Sequence, residues 1–335
     1  MLNTRIIRIS DERPDADDIL SAVEVLRSGG IIAFPTETVY GLGADAMNEK
    51  AVQKVFKAKG RPSDNPLIVH IAALENSYDY TDALPDKGLR LAKYFWPGPL
   101  TLIVEKKANV LDIVTANLDT VALRVPNHPV TLELLRKFNG GIVGPSANIS
   151  GRPSPTSAEH VFNDLNGRID LIIDSGPTTI GIESTVIDVT LDPPAILRMG
   201  GLSKEDIEKK IGEVILTKKD ELLNRSPGTR HRHYSPKARI IIIPQGDREK
   251  FFQLLQQSRL QKDKIGVITY SSALMDIEQS QLHVVIEPSV EQYARNLFQA
   301  LRDLDRKAVD VIYIESVKEE GIGAAIMDRL RKAAV

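Results

Sequence analysis

Two periodicities, one helical and one extended, alternate along the chain and set its fold class. In 15–28, Ile19, Ala22, Val23 and Leu26 fall at i, i+3, i+4 and i+7, one face of a helix that Gly29-Gly30 stops. Residues 31–34 then read as a strand. Ala51, Val52, Val55 and Phe56 mark a second helix ending near Gly60, and 67–71 is a buried-type strand. Further strands are predicted at 100–105, 121–125, 142–143, 170–173, 185–189 and 196–198. Helices are predicted at 86–95 and 129–138, the latter with Pro129 in a first turn that tolerates proline. Ser203 with Asp206 three residues on has the form of a capping box for one more helix.

The pattern breaks at 213–238, where Ser226-Pro227-Gly228 and Ser235-Pro236 punctuate a stretch without apolar periodicity. This segment reads as a linker. It is basic, with Arg225, Arg230, Arg232, Lys237, His231 and His233, and has no acid between Glu221 and Asp247. Beyond it come strand 239–243, helix 247–259, strands 265–270 and 283–287, a long helix through Val290, Tyr293, Ala294, Leu297, Leu301 and Leu304, strand 309–315 and helix 322–333. Strands alternating with helices imply a small parallel sheet covered by helices. The expected domains are therefore 1–212, a linker at 213–238, and 239–335.

Composition narrows the function classes. The 335 residues suffice for two ordinary domains, and a net charge of −2 gives no global field for nucleic acid. With no cysteine, disulfides, thiolate nucleophiles and cysteine metal sites are excluded. No signal-like apolar start is present and no apolar run approaches the roughly 20 residues of a membrane helix. The expectation is a soluble cytoplasmic protein.

Common motifs are missing. No Walker loop and no G-x-G-x-x-G after a strand occurs, and Gly321-Ile322-Gly323 lacks the third glycine. Gly144-Pro145-Ser146-Ala147-Asn148 resembles a nucleophile elbow without its final glycine. Four clusters near strand ends remain. Pro35 to Gly43 offers hydroxyls and glycines to a polar ligand. Lys59-Gly60-Arg61 would, in extended backbone, aim two cations to one side and suit an anion. Ser146 to Gly151 has small groups fit for phosphate oxygens, and Gly181 to Thr185 sets Ser184 at a strand entrance, one strand before Arg198. Taken singly, each is also an ordinary loop.

Eight motifs occur together and in order: Pro35 to Gly43, Lys59-Gly60-Arg61-Pro62, Asn65 to His70, Trp96 to Thr101, Leu123-Arg124-Val125-Pro126, Ser146-Ala147-Asn148, Glu183-Ser184-Thr185, and Arg198-Met199-Gly200. The set closely resembles the threonylcarbamoyl-AMP synthase family. Ser226-Pro227-Gly228 with Arg232-His233-Tyr234-Ser235-Pro236 resembles the linker of its long, two-domain form. It departs from that form at 228–232, where Arg230-His231 replaces a lysine and an aromatic.

The resemblance implies a YrdC-like twisted open α/β catalytic domain with a large concave cavity, and a smaller Rossmann-like parallel α/β C-terminal domain. It implies ATP contacts from Lys59, Arg61, Asn65, Thr120, Ser146, Asn148, Ser154, Arg198 and Tyr234, with Lys59 and Arg61 catalytic and Tyr234 part of a lid. L-threonine would be held by Thr36, Thr38, His70, Arg124, Gly144 and Ser184. The reaction implied joins threonine, bicarbonate and ATP, with Mg²⁺ carried by the ATP, and supplies a downstream tRNA threonylcarbamoyl transferase, with or without a direct tRNA contact. A carbamoyl-transfer enzyme of the same fold would need zinc fingers that a chain without cysteine cannot build. The alternative from another class is a double-stranded RNA-binding module of the same fold.

Overall fold

The computed structural model describes residues 2–12, 14, 16–217, 222, 225–226, 234–269, 282–286 and 289–334. The chain divides into two compact units. One holds Met1–Ser150, Ser154–Thr179 and Glu183–His231; the other holds Gly151–Pro153, Ile180–Ile182 and Arg232–Val335.

Among the described residues the first unit is built on eleven strands: β1 (Arg5–Arg8), β2 (Ile32–Phe34), β3 (Gly41–Asp45), β4 (Ile68–His70), β5 (Leu100–Glu105), β6 (Thr120–Arg124), β7 (Ile142–Val143), β8 (Leu171–Asp174), β9 (Thr185–Asp188), β10 (Ala195–Arg198) and β11 (Ile215–Leu216). They lie in the order β1-β8-β2-β3-β7-β4-β6-β5-β9-β10-β11. The sheet is mixed: β4 runs parallel to β6, and β7 antiparallel to both β3 and β4. Its helices are α1 (Ala16–Arg27), α2 (Glu49–Lys59), α3 (Asp86–Phe95), α4 (Asp112–Thr115), α5 (Pro129–Phe138), α6 (Ala158–Leu165) and α7 (Lys204–Ile211).

The predicted apolar face of α1 is the face that folds inward. Ile19, Ala22, Val23 and Leu26 are fully buried against Leu134, Leu135 and Phe138 of α5 and against Ile32 and Leu171 of the sheet. Burying one such side chain contributes about 1.5–3 kcal/mol. α3 and α5 keep their predicted bounds, and the Ser203 hydroxyl accepts from the Asp206 amide (3.1 Å) to cap α7.

Two predictions are corrected. Gly41–Asp45, where no strand is predicted, form β3, buried along most of its length. Small residues are needed there because a Cβ on Gly41 would lie 2.5 Å from the Phe34 ring, and polarity patterns miss a strand chosen for lack of bulk. Lys59 and Arg61 do not share an extended stretch. Lys59 ends α2, and Gly60, at φ +62°, caps that helix in the left-handed region and reverses the chain before Arg61. β1 and β11 carry too few apolar residues to give a periodic signal, whereas α6, which was not predicted, does carry one: Ala158, Val161 and Leu165 recur at helical spacing and are buried.

Among the described residues the second unit has four parallel strands, β12 (Arg239–Ile243), β13 (Ile265–Thr269), β14 (Leu282–Ile286) and β15 (Val311–Glu315), in the order β12-β15-β13-β14. Its helices are α8 (Arg248–Gln261), α9 (Val290–Arg306) and α10 (Ile322–Ala333). The predicted stripe of α9, Tyr293 to Leu304, is buried, and Phe251 and Leu255 of α8 pack on Ile265, Val267 and Tyr313. This is the expected parallel α/β domain. Within the 213–238 segment, residues 227–233 lie outside the described residues, as do Tyr270 and Glu287 of the predicted strands.

Helix α2 presents Lys59, and its start is held by Asn48, whose side chain accepts from the Ala51 amide (3.2 Å). Replacing Asn48 by Ala removes that cap and costs about 1 kcal/mol. Calorimetry of the Asn48→Ala protein should show melting lowered by about 2–4 °C; an unchanged melt would mean the cap does not hold the helix.

Candidate active site

Strand register brings the first polar pair together. β4 and β6 are parallel with His70 opposite Arg124, so an imidazole and a guanidinium end neighbouring strands. Arg124 is 3% exposed. Its Nε donates to the Gly98 carbonyl (3.2 Å) and its Nη1 to the Thr38 hydroxyl (3.0 Å). Its Nη2 stands 2.7 Å from Oε2 of Glu37.

The segment 35–40 that supplies Thr38 and Glu37 is a turn tied by its own hydroxyl. Thr36 Oγ1 accepts from the Thr38 and Val39 amides (3.1 and 3.2 Å) and lies 2.7 Å from the Val39 carbonyl oxygen. Thr36 is thus committed to shaping the turn, while Thr38 presents its hydroxyl to Arg124. Thr131, on α5, donates to the Pro35 carbonyl and pins the turn to that helix.

His70 is 2% exposed, stands edge-on to Phe34 with ring centres 5.4 Å apart, and overlies Gly144, where a Cβ would meet its Nδ1 at 2.5 Å. Burial, aided by the Arg124 charge, holds its pKa well below the ordinary 6.5. The ring is neutral at physiological pH, and among the described residues Nδ1 has no hydrogen-bond partner. Ser184 joins this group through β5: its hydroxyl is 2.8 Å from that of Thr101, three residues after Gly98. Arg198 holds Ser184 in place, donating from Nε (3.1 Å) and Nη2 (3.0 Å) to its carbonyl and from Nη2 to its hydroxyl (3.2 Å).

A second group forms beyond β7. The Gly144 amide donates to the Ile68 carbonyl (2.8 Å), so the chain leaves β7 toward the start of β4. There the Lys59 ammonium, 2% exposed, donates to the carbonyls of Ser146 and Asn148, the latter at 2.8 Å, with Asn148 Oδ1 at 3.5 Å. Burial and the Arg61 charge lower its pKa well below 10.5. Arg61 Nη2 donates to the Pro66 carbonyl (3.0 Å) and reaches that of Asn65 (3.4 Å), on the approach to β4. Asn65 is buried, and Thr120 opens β6, roughly 13 Å along that strand from Arg124. The predicted nucleotide residues Lys59, Arg61, Asn65, Thr120, Ser146 and Asn148 therefore gather near the starts of β4 and β6. Thr38, His70 and Arg124 gather at their ends, and Gly144 lies between.

Of the other three predicted nucleotide residues, Arg198 holds Ser184, and Ser154 and Tyr234 have partners of their own. Ser154 is buried and donates to Glu183 Oε1 (2.5 Å). Tyr234 is buried in the second unit, stacked on Phe298 (5.3 Å) with the Arg329 guanidinium over its ring (5.3 Å). An open cleft of about 680 Å³ between Arg8, Asp11 and Asp174 contains no predicted site residue. Glu37 and Glu183 escaped residue-level reading. The available signal was an acid set among hydroxyls next to a strand, as in Thr36-Glu37-Thr38.

Residues 24–200 match the family model described as telomere recombination, and 202–335 match the model for the threonylcarbamoyl-AMP synthase C-terminal domain. The threonylcarbamoyl-AMP synthase of Pyrococcus abyssi is 47% identical over 331 residues, covering 96% of each chain. The chain belongs to the threonylcarbamoyl-AMP synthase family. The synthase of Bacillus subtilis is 45% identical over 342 residues, covering 98% of this chain and 96% of that one. The crystal structure of Pyrococcus abyssi Sua5 complexed with L-threonine superposes with a TM-score of 0.93 at 47% identity, covering 99% and 98% of the two chains. The eight motifs that point to this family thus sit on its fold, a nucleotidyl-transferring enzyme in two domains.

The lowered pKa of His70 has a consequence for stability. An unfolded chain takes up this proton near pH 6.5 and the folded family member does not, so stability is complete above that pH and falls as pH drops below it. His128, also lowered by burial against the opposing charges of Asp11 and Glu37, adds in the same direction. Melting temperatures between about pH 7.5 and about 5.5 should decline, and less steeply in a His70→Asn variant. Equal slopes would mean that His70 is protonated in the folded protein.

Proposed function

We propose that this protein condenses L-threonine, bicarbonate or CO2, and ATP into threonylcarbamoyl-AMP and pyrophosphate. The observation that carries the reading is the polar group around Arg124, in a fold shared at TM-score 0.93 with a relative solved with L-threonine. The Arg124 guanidinium suits the amino-acid carboxylate as a charge-assisted pair. Thr38, Ser184 and neutral His70 offer partners to threonine's hydroxyl, with Thr36 and Gly144 fixing their positions. A site built to pair a hydroxyl rejects analogues lacking it more strongly than an apolar pocket rejects a change of size.

In the first step the deprotonated threonine amine attacks CO2, formed from bicarbonate by loss of water, to give the carbamate with release of a proton. In the second a carbamate oxygen attacks the α-phosphorus of ATP and pyrophosphate leaves. No protein nucleophile takes part, so the protein contributes alignment and positive charge. Lys59 and Arg61 face the phosphates in this reading, with Asn65, Thr120, Ser146, Asn148, Ser154 and Arg198 around the nucleotide. The Lys59 ammonium has exchangeable partners, two main-chain carbonyls that a phosphate oxygen outcompetes as acceptor. Among the described residues no group of three His, Asp or Glu is placed to hold an ion. In this reading Mg²⁺ would be carried by the ATP and would supply further positive charge at the phosphates beside Lys59 and Arg61. Tyr234 and the linker belong to the same reading as a lid over the labile carbamate.

The product is an activated carbamate that a separate tRNA threonylcarbamoyl transferase consumes in the cytoplasm. No helix among the described residues is long and apolar enough to cross a membrane. The test is pyrophosphate release. It should require threonine and bicarbonate together, and Lys59→Ala or Arg61→Ala should slow it by about 10² to 10³-fold. ATP turnover without threonine, or affinity for RNA with no turnover, would refute the synthase reading.

A further inference from the structure

The contact between Glu37 and Arg124 is the least settled interaction in the site. Their side chains are 6% and 4% exposed and the charges stand 2.7 Å apart. Yet neither Glu37 oxygen, nor Nη2 of Arg124, makes an aligned hydrogen bond among the described residues. A buried carboxylate in that condition is costly. A side chain retained only as counter-ion would gain most from the parallel two-bond geometry that guanidinium and carboxylate readily adopt. Here the remaining Arg124 donors are turned to Gly98 and Thr38, and the pair meets off-axis. Nδ1 of His70, opposite Arg124 in the sheet, likewise has no aligned hydrogen-bond partner among the described residues.

An α-amino acid near neutral pH carries one positive and one negative group, separated by a single carbon. Inserted between Glu37 and Arg124, it replaces one internal ion pair by two and adds no net charge to the buried site. We propose that Glu37 receives the α-ammonium group of the amino acid while Arg124 takes its carboxylate, so that the pair acts as a zwitterion clamp. The assignment rests on the reading of Arg124 as the carboxylate anchor. Glu37 is then the residue that makes the site selective for amino acids over hydroxy acids and simple carboxylic acids. The open valences on Glu37, on Arg124 Nη2 and on His70 are the places the ligand fills.

The test is calorimetric titration of the full chain with L-threonine and with 3-hydroxybutyrate, which is threonine without its amine. In the wild type, 3-hydroxybutyrate should bind at least about 10-fold more weakly than threonine, since it leaves Glu37 without a cation. In Glu37→Gln, threonine should weaken by about 10- to 100-fold while 3-hydroxybutyrate holds or tightens, because Arg124 loses its competitor. Glu37→Asp, which keeps the charge, should recover part of the threonine affinity. ATP affinity and thermal melting confirm that each variant is folded. A parallel loss of both ligands in Glu37→Gln would make Glu37 a support for Arg124 alone and overturn the proposal, as would equal wild-type affinities. Should Arg124→Gln leave threonine binding unchanged, the carboxylate-anchor reading fails first, and the clamp with it.

Discussion

A guanidinium cannot be enclosed in a protein interior without partners, and Arg124 is enclosed. That constraint organises the surrounding chain. The 35–40 turn delivers Thr38 and Glu37, the entry to β5 delivers the Gly98 carbonyl, and the β4–β6 register delivers a neutral imidazole. Each of these elements carries a shape explained by the need. Thr36 ties the turn so that Thr38 faces Arg124, and Gly144 is bare so that the His70 ring can approach its backbone.

A second buried cation, Lys59, obeys the same rule with different chemistry. It is held by main-chain carbonyls instead of a carboxylate. Carbonyls satisfy its hydrogens without neutralising its charge, which leaves positive potential available to phosphate. The carboxylate of Asp164 acts on Lys59 more weakly than burial and the Arg61 charge do. The contrast between the two cations, one paired with an acid and one with neutral dipoles, suits one to a zwitterion and the other to a polyanion. Arg124 ends β6, while Lys59 ends α2 and reaches the Ser146–Asn148 backbone that follows Gly144.

How much was legible in the sequence follows from range. α1, α3 and α5 announce themselves through local periodicity, and their bounds or buried faces agree with it. The C-terminal sheet is readable for the same reason: regular alternation of apolar strands and amphipathic helices. β3 is hidden because its strand character comes from fitting under Phe34, a contact between strands that composition does not encode. Glu37 and Arg124 stand 87 residues apart in the chain, and nothing local marks them as partners. The family resemblance pointed to Arg124 through its motif, but pairing it with Glu37 required coordinates. Arg198 shows the same limit: one strand from Ser184, it lies close enough to be suspected, yet its grip on that residue is visible only in three dimensions.

The account depends on both ligands meeting the sheet along β4 and β6. A crystal structure with L-threonine and a non-hydrolysable ATP analogue bound examines this most directly. The threonine carboxylate should lie on Arg124 and the triphosphate within hydrogen-bond reach of Lys59 and Arg61, with the α-phosphate beside the amino acid near Gly144. Threonine found away from Arg124, or phosphates bound without contact to Lys59 and Arg61, would contradict it.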